Sequence, residues 1–450
     1  MQDMTKGSLF SHLWRYAVPL LLANWLQLLY NAADSVIAGR FIGKEALAAE
    51  GIAAPVMNLV ILAISGLCIG AGIFMSECYG AKDMVSFRKS LASIIKTGLG
   101  MSLVIVIPGI LLTPALLRMM SVPSEIFDLT SVYLKITFLG VPFTFLYNSL
   151  SAAMKSVGDS RTPLRFLAIC SVLNIIMDGI LLGVFHFGIR TSAMTTVICE
   201  LFSAYLAANA LFMHMPELRP EKSEWITDRT LLKKVLGYGL PSALQQAVQP
   251  IGKLLIQSQV TLLGVSSIAA YNAVSRVDSF AFIPEQGIAA AIATCIAQNR
   301  GAGKTERIRK GFRVGILMEL CYGICIGIIA LVFGRQIVSL FVKGDGTLEV
   351  IREGAAYLSV IGFLYVLPGF TNGFQGYCRG AGKIPVTIFC TFIQISLRTL
   401  GTYLFAGTWG IRGIAAASGV GWAAMLAFEV PYVLHHMRKS EEAAAGCDSE

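Results

Sequence analysis

The chain is poor in charged residues. Of its 450 residues, only 14% are Asp, Glu, Lys or Arg, while 55% are hydrophobic. A soluble globular protein carries about 25% charged residues, so this chain has more apolar surface than a soluble fold of its size could bury. Long apolar runs recur from end to end, each near the ~20 residues that a helix needs to cross a bilayer. The composition excludes a large soluble domain.

Residues for metal or nucleophilic chemistry are also scarce. The five histidines lie near the ends of apolar runs without an HExxH pattern, and the ten cysteines show no CxxC spacing. We therefore expect no metal site of zinc type, no disulfide framework and no enzyme. The stretch GAGKT at 301–305 resembles the end of a phosphate-binding loop, but Gln298 stands where the full pattern needs a glycine. This argues against ATP binding.

The apolar runs predict an all-α polytopic membrane protein with twelve transmembrane helices. Several runs exceed ~25 residues, which indicates tilted helices or helices that extend beyond the hydrocarbon. The predicted spans are 13–40, 46–79, 87–116, 123–153, 162–184, 188–214, 231–262, 266–299, 310–340, 348–379, 384–407 and 411–437.

Lysine and arginine are distributed unequally between the two sides of the membrane. The basic loops are 82–89, 155–165, 219–234, 300–313 and 379–383. Both termini are on the same side as these loops, with Lys6 and Arg15 at one end and Arg438 and Lys439 at the other. By the positive-inside rule this side is the cytoplasm. We expect a bacterial plasma-membrane protein whose net charge of +9 reflects this asymmetry and not nucleic-acid binding.

The sequence repeats itself at an offset near 222 residues. YAVPLLLANWLQLLYN at Tyr16 is similar to YGLPSALQQAVQPIGK at Tyr238, and FGIRTSAMTT at Phe187 is similar to WGIRGIAAAS at Trp409. Each copy holds six spans. Because six is even, both copies start on the same side and form two parallel six-helix lobes. Two such lobes enclose a central cavity that can open to either side, as in a transporter.

This repeat predicts four segments. They are an N-lobe at 1–214, a cytoplasmic connector at 215–230, a C-lobe at 231–440 and a disordered C-terminal tail at 441–450. With no nucleotide motif, transport would be driven by an ion gradient, with no bound cofactor.

One apolar run carries an acid. Asp34 lies within LLLANWLQLLYNAADSVIAGR. An ionised aspartate at the bilayer centre costs about 2.5–3.5 kcal/mol, so intramembrane acids usually serve a function. Such a carboxyl could take up a proton, or hold a cation with the help of neutral oxygens. Asn174 and Asp178 are four residues apart and share one helix face.

Several motifs together resemble the MATE family (multidrug and toxic compound extrusion transporters). They are GSLFSHLWRYAVP before the first span, Asp34 within it, the paired GA loops, KSVGDSRTPL, and NIIMD followed by GIRTSAMTT. The resemblance covers the whole chain. It implies the MATE fold and an antiporter that exports organic molecules in exchange for H+ or Na+.

Within that family the chain is more similar to the DinF-like branch than to the NorM-like branch. Pro19 precedes Asp34 by 15 residues, as in the DinF-like pattern, and would permit the first helix to bend. The resemblance implies coupling roles for Asp34, Asn174 and Asp178, where Na+ could bind. It implies the same for Asn148 and Thr196. Gln249 stands near the position of the NorM-like glutamate.

The second lobe carries charges inside its spans. They are Lys253, Arg276, Asp278, Glu285 and Arg398. They would either pair to brace the lobe or line the substrate cavity, where they would suit an anionic or zwitterionic compound.

Two functions are compatible with this sequence. The first is export of small organic compounds by a monomer in the lipid bilayer. The alternative is a flippase or exporter of a lipid-linked saccharide or of a specific anionic or zwitterionic metabolite.

Overall fold

The computed structural model describes residues 2–226, 228–342 and 347–447. Within these ranges the chain forms α-helices, short 3₁₀ and π turns and no strand. The helices are α1 (Leu9–Ile37), α2 (Lys44–Gly80), α3 (Met84–Met119), α4 (Ser124–Ser156), α5 (Arg161–Leu181), α6 (Ile189–His214), α7 (Arg229–Leu262), α8 (Val265–Gly301), α9 (Thr305–Ser339), α10 (Thr347–Leu364), α11 (Val366–Gly380), α12 (Ile384–Trp409) and α13 (Ile411–Cys447).

The helices confirm the predicted all-α polytopic fold. Within the described ranges, nine helices are long and apolar enough to cross a membrane, and α10 with α11 forms a tenth span bent by 48°. The bend has a local cause, because Pro368 lacks an N–H and its ring would clash with the Leu364 carbonyl in a continuous helix. The remaining helices, α1 and α7, have 29 and 34 residues. Both are long enough to cross but more polar, with Asp34 and Lys253 among their side chains.

The chain divides into two compact units. Unit 1 contains Leu22–Gln246, and unit 2 contains Asp3–Leu21 and Ala247–Glu450. These bounds differ from the predicted lobes, 1–214 and 231–440, at two places. The first half of α1 belongs to unit 2, and the first half of α7 belongs to unit 1.

Core packing explains why the first halves of α1 and α7 each belong to the opposite unit. Leu13 from α1 lies in one hydrophobic core with Ile288 and Ile292 from α8. Val235 from α7 lies in another core with Ile64 from α2. A sequence repeat identifies equivalent helices, but it does not show on which neighbours each half of a helix packs.

Inside each unit the helices pair in the same order. In unit 1, α2 packs on α3 and α4, α3 packs on α4, α6 packs on α4, and α5 packs on α6. In unit 2, α8 packs on α9 and on the α10–α11 span, α9 packs on that span, α13 packs on it as well, and α12 packs on α13. The internal repeat of the sequence is therefore also a repeat of helix packing.

The last predicted segment is different in the structure. Residues 441–450 were expected to be disordered, but α13 continues as a helix through Cys447, and 448–450 lie outside the described residues. The composition explains the difference, because EEAAA consists of strong helix formers.

Candidate functional site

The central feature of unit 1 is a pair of carboxyl groups. Asp34 near the end of α1 and Asp178 near the end of α5 lie within hydrogen-bonding range of each other. Asp178 is fully buried, with 0% of its surface exposed. Two carboxyl groups can form a hydrogen bond only when one of them carries a proton. Such a pair can hold a proton between two helices.

The second oxygen of Asp178 has its own donor. The hydroxyl of Thr195, in the second turn of α6, donates to Asp178 Oδ1. Asp178 Oδ2 and Asp34 Oδ1 have no other hydrogen-bond donor among the described residues. The pair thus has one fixed contact to α6 and two oxygens that are available for a proton or another ligand.

Helix direction brings these residues together. Asp34 is the third residue before the end of α1, and Asp178 is the third residue before the end of α5. Thr195 is close to the start of α6. Odd-numbered helices end, and even-numbered helices begin, on the same side of unit 1. Asp34 therefore lies nearer to the C-terminal end of α1 than to its middle.

Asn174 occupies the turn of α5 that precedes Asp178. Its side chain is 1% exposed, and neither amide atom has a hydrogen-bond partner among the described residues. Cys199 on α6 is its polar neighbour. A buried amide without partners retains its full capacity to donate and accept, as a ligand-binding residue must.

Two further acids lie on helices of the same unit. Glu50 on α2 is 7% exposed and accepts a hydrogen bond of 3.2 Å from Ser192 on α6. Its carboxylate is close enough to interact electrostatically with Asp34 and Asp178. Glu200 on α6 packs against Gly140 of α4, where any side chain would collide with its carboxylate. The sequence does not identify Glu50 or Glu200 as a site residue, because the spacing of these acids along the chain does not show which helices they meet.

The other predicted residues of the coupling site make contacts of a different kind. Thr196 donates to its own helix at Ser192 O, 3.1 Å away, and lies against the Tyr30 phenol. Thr195, its neighbour, makes the contact with Asp178. The Asn148 amide donates along its own helix to Thr144 O, 2.8 Å away. Pro19 is buried within a continuous α1.

The predicted charges of the second lobe separate into two sets. Asp278 accepts hydrogen bonds from Tyr365, 2.6 Å away, and Tyr357, 3.3 Å away. Arg398 and Lys253 act electrostatically on Asp278. Glu285, by contrast, is fully buried and receives a hydrogen bond from Asn372 of 3.2 Å.

The basic members of this group form no close ion pairs with acids among the described residues. Among the described residues, no ion pair within 4.0 Å includes Lys253, Arg276 or Arg398. Lys253 and Arg276 are exposed, and the Nε atom of Arg398 is buried without an acceptor. The interpretation as a salt-bridge network predicted hydrogen-bonded pairs, and the described residues do not form them.

No metal centre is evident in the described residues. None of their histidines, cysteines and acids form a group of three or more that could hold a metal ion. The oxygens of Asp34, Asp178 and Asn174 are hard donors, which can take up a proton or contribute to the shell of a cation such as Na+.

Comparison with known proteins gives the family. The MatE family model matches residues 19–180 and 241–404, two blocks that begin 222 residues apart, as the internal repeat does. A probable multidrug resistance protein of Bacillus subtilis, YpnP, is 28% identical over 421 residues, which cover 93% of each chain. The multidrug export protein MepA of Staphylococcus saprophyticus is 23% identical over 424 residues, 91% of this chain and 90% of its own.

Solved structures agree on the fold. A crystal structure of MATE in the bent conformation matches with a TM-score of 0.92 at 20% identity, over 98% of each chain. A MOP superfamily transporter from Pyrococcus furiosus matches with a TM-score of 0.89 at 20% identity. The latter is described as having a binding pocket of reverse polarity that suggests a different function. The relatives are transporters and not enzymes. This chain belongs to the MatE family of multi-pass membrane transporters.

Proposed function

We propose that this protein exports small organic compounds from a bacterial cell in exchange for protons, which bind at Asp34 and Asp178. The observation that carries the proposal is the contact between these two carboxyl groups, since it requires a proton between them. Like charges so close cannot both ionise without a large cost. Relatives described as multidrug resistance and export proteins support the class of substrate.

The coupling element in this proposal is α1. Its second half carries Asp34 in unit 1, and its first half carries Pro19 in unit 2. Pro19 removes one backbone hydrogen bond and makes the helix easier to bend. A change of charge at Asp34 would then favour one shape of a helix that both units share. The protein needs neither nucleotide nor bound cofactor for this step, and it works as a monomer of the DinF-like branch.

The test uses proteoliposomes loaded with a fluorescent organic cation. A pH gradient and a sodium gradient are imposed separately, and efflux is measured for the wild type, Asp34→Asn and Asp178→Asn. We expect the pH gradient to drive efflux in the wild type. In each variant the efflux rate should fall at least about tenfold, since a fixed neutral amide cannot take up and release a proton. Binding of the substrate should change by less than about twofold.

Ser35→Ala is the matched control. Ser35 is exposed beside Asp34 and bonds only to its own helix at Asn31 O, so its loss should leave efflux unchanged. Normal efflux by Asp34→Asn under the pH gradient would contradict the proposal. Efflux driven by sodium alone would replace the proton with sodium as coupling ion.

A second candidate concerns the charge of the substrate. Lys253 and Arg398 lie near each other on α7 and α12, and no acid pairs with either among the described residues. Asp278 acts electrostatically on both, so two positive charges lie beside one negative charge. A net positive charge of this kind within a membrane protein favours an anionic ligand group. We infer that an anionic or zwitterionic compound is the alternative substrate.

Competition tests this alternative. An organic anion and an organic cation of similar size are compared as competitors of efflux in the wild type, Lys253→Gln and Arg412→Gln. Arg412 is also an exposed basic residue of unit 2, at the start of α13. If the substrate is anionic, Lys253→Gln alone should weaken inhibition by the anion about tenfold. Equal inhibition in all three proteins would exclude the role of Lys253.

Membrane orientation is the remaining part of the proposal. We place both termini in the cytoplasm of the plasma membrane, because the loops on their side carry most of the lysines and arginines. A single cysteine introduced at Lys6 in a cysteine-free protein should react with a membrane-impermeant thiol reagent only after the cells are opened. Reaction in intact cells would reverse the orientation.

A further inference from the structure

Two glutamates of unit 2 are buried against the same turn of α11, around residues 369–373. Glu285 on α8 and Glu319 on α9 are both 0% exposed, and the carboxylate of Glu285 acts electrostatically on that of Glu319. Both carboxyl oxygens of Glu319 and one of Glu285 have no hydrogen-bond partner among the described residues. Buried polar atoms are rarely left in this condition, and ionised carboxylates even less often.

The surroundings offer a donor on one side and apolar packing on the other. Asn372 on α11 donates its amide N–H to the second oxygen of Glu285, 3.2 Å away. The Glu319 side chain lies against Gly369 and Gly373 of α11. A Cβ added to Gly369 would lie 3.5 Å from that side chain, and one added to Gly373 would lie 3.6 Å from it. These glycines let the acid approach α11 without leaving room for a hydration shell.

The titratable groups around the pair are acidic or phenolic. Asp278 from α8 acts on Glu285, while Tyr322 from α9 and Tyr365, which precedes α11, are the phenols whose charges couple to the pair. Both phenols already donate elsewhere, Tyr322 to Ala281 O and Tyr365 to Asp278. Within the described part of the chain, none of these neighbours supplies a positive charge that would neutralise two carboxylates.

We infer that Glu285 and Glu319 form a second proton-binding site, located in unit 2, which takes up an exchangeable proton from water at one of the two neighbouring carboxyl groups. A proton fits better than a metal cation because Asn372 turns its N–H, and not its oxygen, toward the site. Two carboxylates alone also leave a cation shell incomplete. The proton enters as a free ion from solvent, so no other reactant is needed.

The site is separate from Asp34 and Asp178, which belong to unit 1. Only the use of this proton to drive transport rests on the proposed function. The proton site itself can be tested without a substrate or a gradient.

The test is infrared difference spectroscopy on the reconstituted protein between about pH 5 and about pH 9. Protein grown with isotopically labelled glutamate shows which protonated-carboxyl bands belong to glutamate and which to aspartate. We expect part of the wild-type glutamate signal to titrate in two steps at least one pH unit apart, because coupled acids release protons in separate macroscopic steps. In Glu319→Gln and in Glu285→Gln this part should be reduced to one step, between those two, while the signals of the other buried glutamates persist.

Two further variants serve as controls. Glu429→Gln removes another fully buried acid of unit 2 and should leave both steps in place. Asp34→Asn should also leave both steps in place, so that failure of the proposed coupling site is distinguishable from failure of this one. Helical circular dichroism confirms folding of each variant.

The inference is overturned by either of two results. One is a glutamate titration that neither Glu285→Gln nor Glu319→Gln changes. The other is that each variant removes one step and leaves the other unshifted, which would mean independent acids.

Discussion

At the scale of single residues, one position along α6 decides which side chain meets Asp178. Thr195 and Thr196 are adjacent, but a helix turns by about 100° per residue, so only one of them can face α5. The structure gives that contact to Thr195, whereas Thr196 is directed to Tyr30. Chemical type alone could not separate these two threonines.

Replacement of each threonine by valine should therefore give different results. Thr195→Val leaves a buried carboxylate oxygen without its donor, a loss of about 1–3 kcal/mol. We expect proton-driven efflux in proteoliposomes to fall about tenfold, whereas Thr196→Val should lower it by less than about threefold. Equal losses would show that the contact with Asp178 is not the one that matters.

A second residue-scale contact fixes the connector to unit 1. Glu224 is 5% exposed and accepts three hydrogen bonds from Arg88 of α3, two from its Nε and one from Nη2. The hydrogen bonds from Arg88 lower the pKa of Glu224 below its ordinary value. Because the folded pKa is lowered, this stabilisation is complete above the ordinary glutamate pKa of about 4.3. It is lost as the pH falls toward and through the lowered value.

Amide hydrogen exchange of residues 216–225 measures this docking. Glu224→Gln should weaken the contact by about 1.5–3 kcal/mol and raise exchange at about pH 7 by roughly tenfold or more. The wild type should approach the variant only below about pH 4, after correction for the intrinsic exchange rate. Glu217→Gln, on an exposed residue of the same connector, is the control. Protection that does not change with pH in this range would contradict the role of the carboxylate.

At the scale of elements, small residues set the distance between α8 and α11. Gly376 and Gly380 are four residues apart on α11, and a Cβ there would come within 2.6 Å of Ala289 O and 2.5 Å of Ala293 O. Such small residues let helix backbones approach closely where the hydrophobic effect adds little to helix association. This contact also carries Asn372 toward Glu285.

Gly376→Ala should destabilise unit 2 because the backbone of α8 cannot move aside as a flexible side chain could. We expect a loss of about 1–3 kcal/mol, seen as a lower unfolding temperature in detergent. Gly407→Ala on α12 is the matched control, since no atom lies within 4 Å of its Cβ position. Alanine is the better helix former there, so this variant should be neutral or slightly more stable. Similar stability of the two variants would contradict the close-packing argument.

At the scale of the whole molecule, each compact unit takes a helix half from the other copy of the repeat. Leu13 and Tyr16 of α1 complete the core of unit 2. Leu231 and Val235 of α7 complete the core of unit 1. Neither sequence copy contains all of the residues that fill its own core.

Separate expression of the two halves tests this exchange. Residues 1–226 and 227–450 expressed alone should each be degraded or aggregate, because each lacks part of a buried core. Expressed together, they should restore a stable protein with detectable efflux. Stable, soluble accumulation of either half alone in detergent would contradict the exchange. A protease site placed in the connector of the intact chain controls for the loss of the covalent link.

The sequence by itself determined the membrane class, the predicted spans and the repeat. Insertion into a bilayer depends on the composition of each segment, because every helix satisfies its backbone hydrogen bonds internally. The sequence also singled out Asp34, Asn174 and Asp178, since polar groups in apolar runs are conspicuous. It did not single out Glu50 or Glu319, because the role of each of these acids depends on the residues that pack around it in the fold.

Only the tertiary structure decided which side chains meet. The acids of Asp34–Asp178 and of Glu285–Glu319 come from two different helices in each case, and their proximity depends on the rotation and depth of both helices. The same is true of the halves of α1 and α7 that pack in the opposite units. Pairwise contact between helices is a property of packed surfaces and crossing angles, which no single segment of sequence encodes.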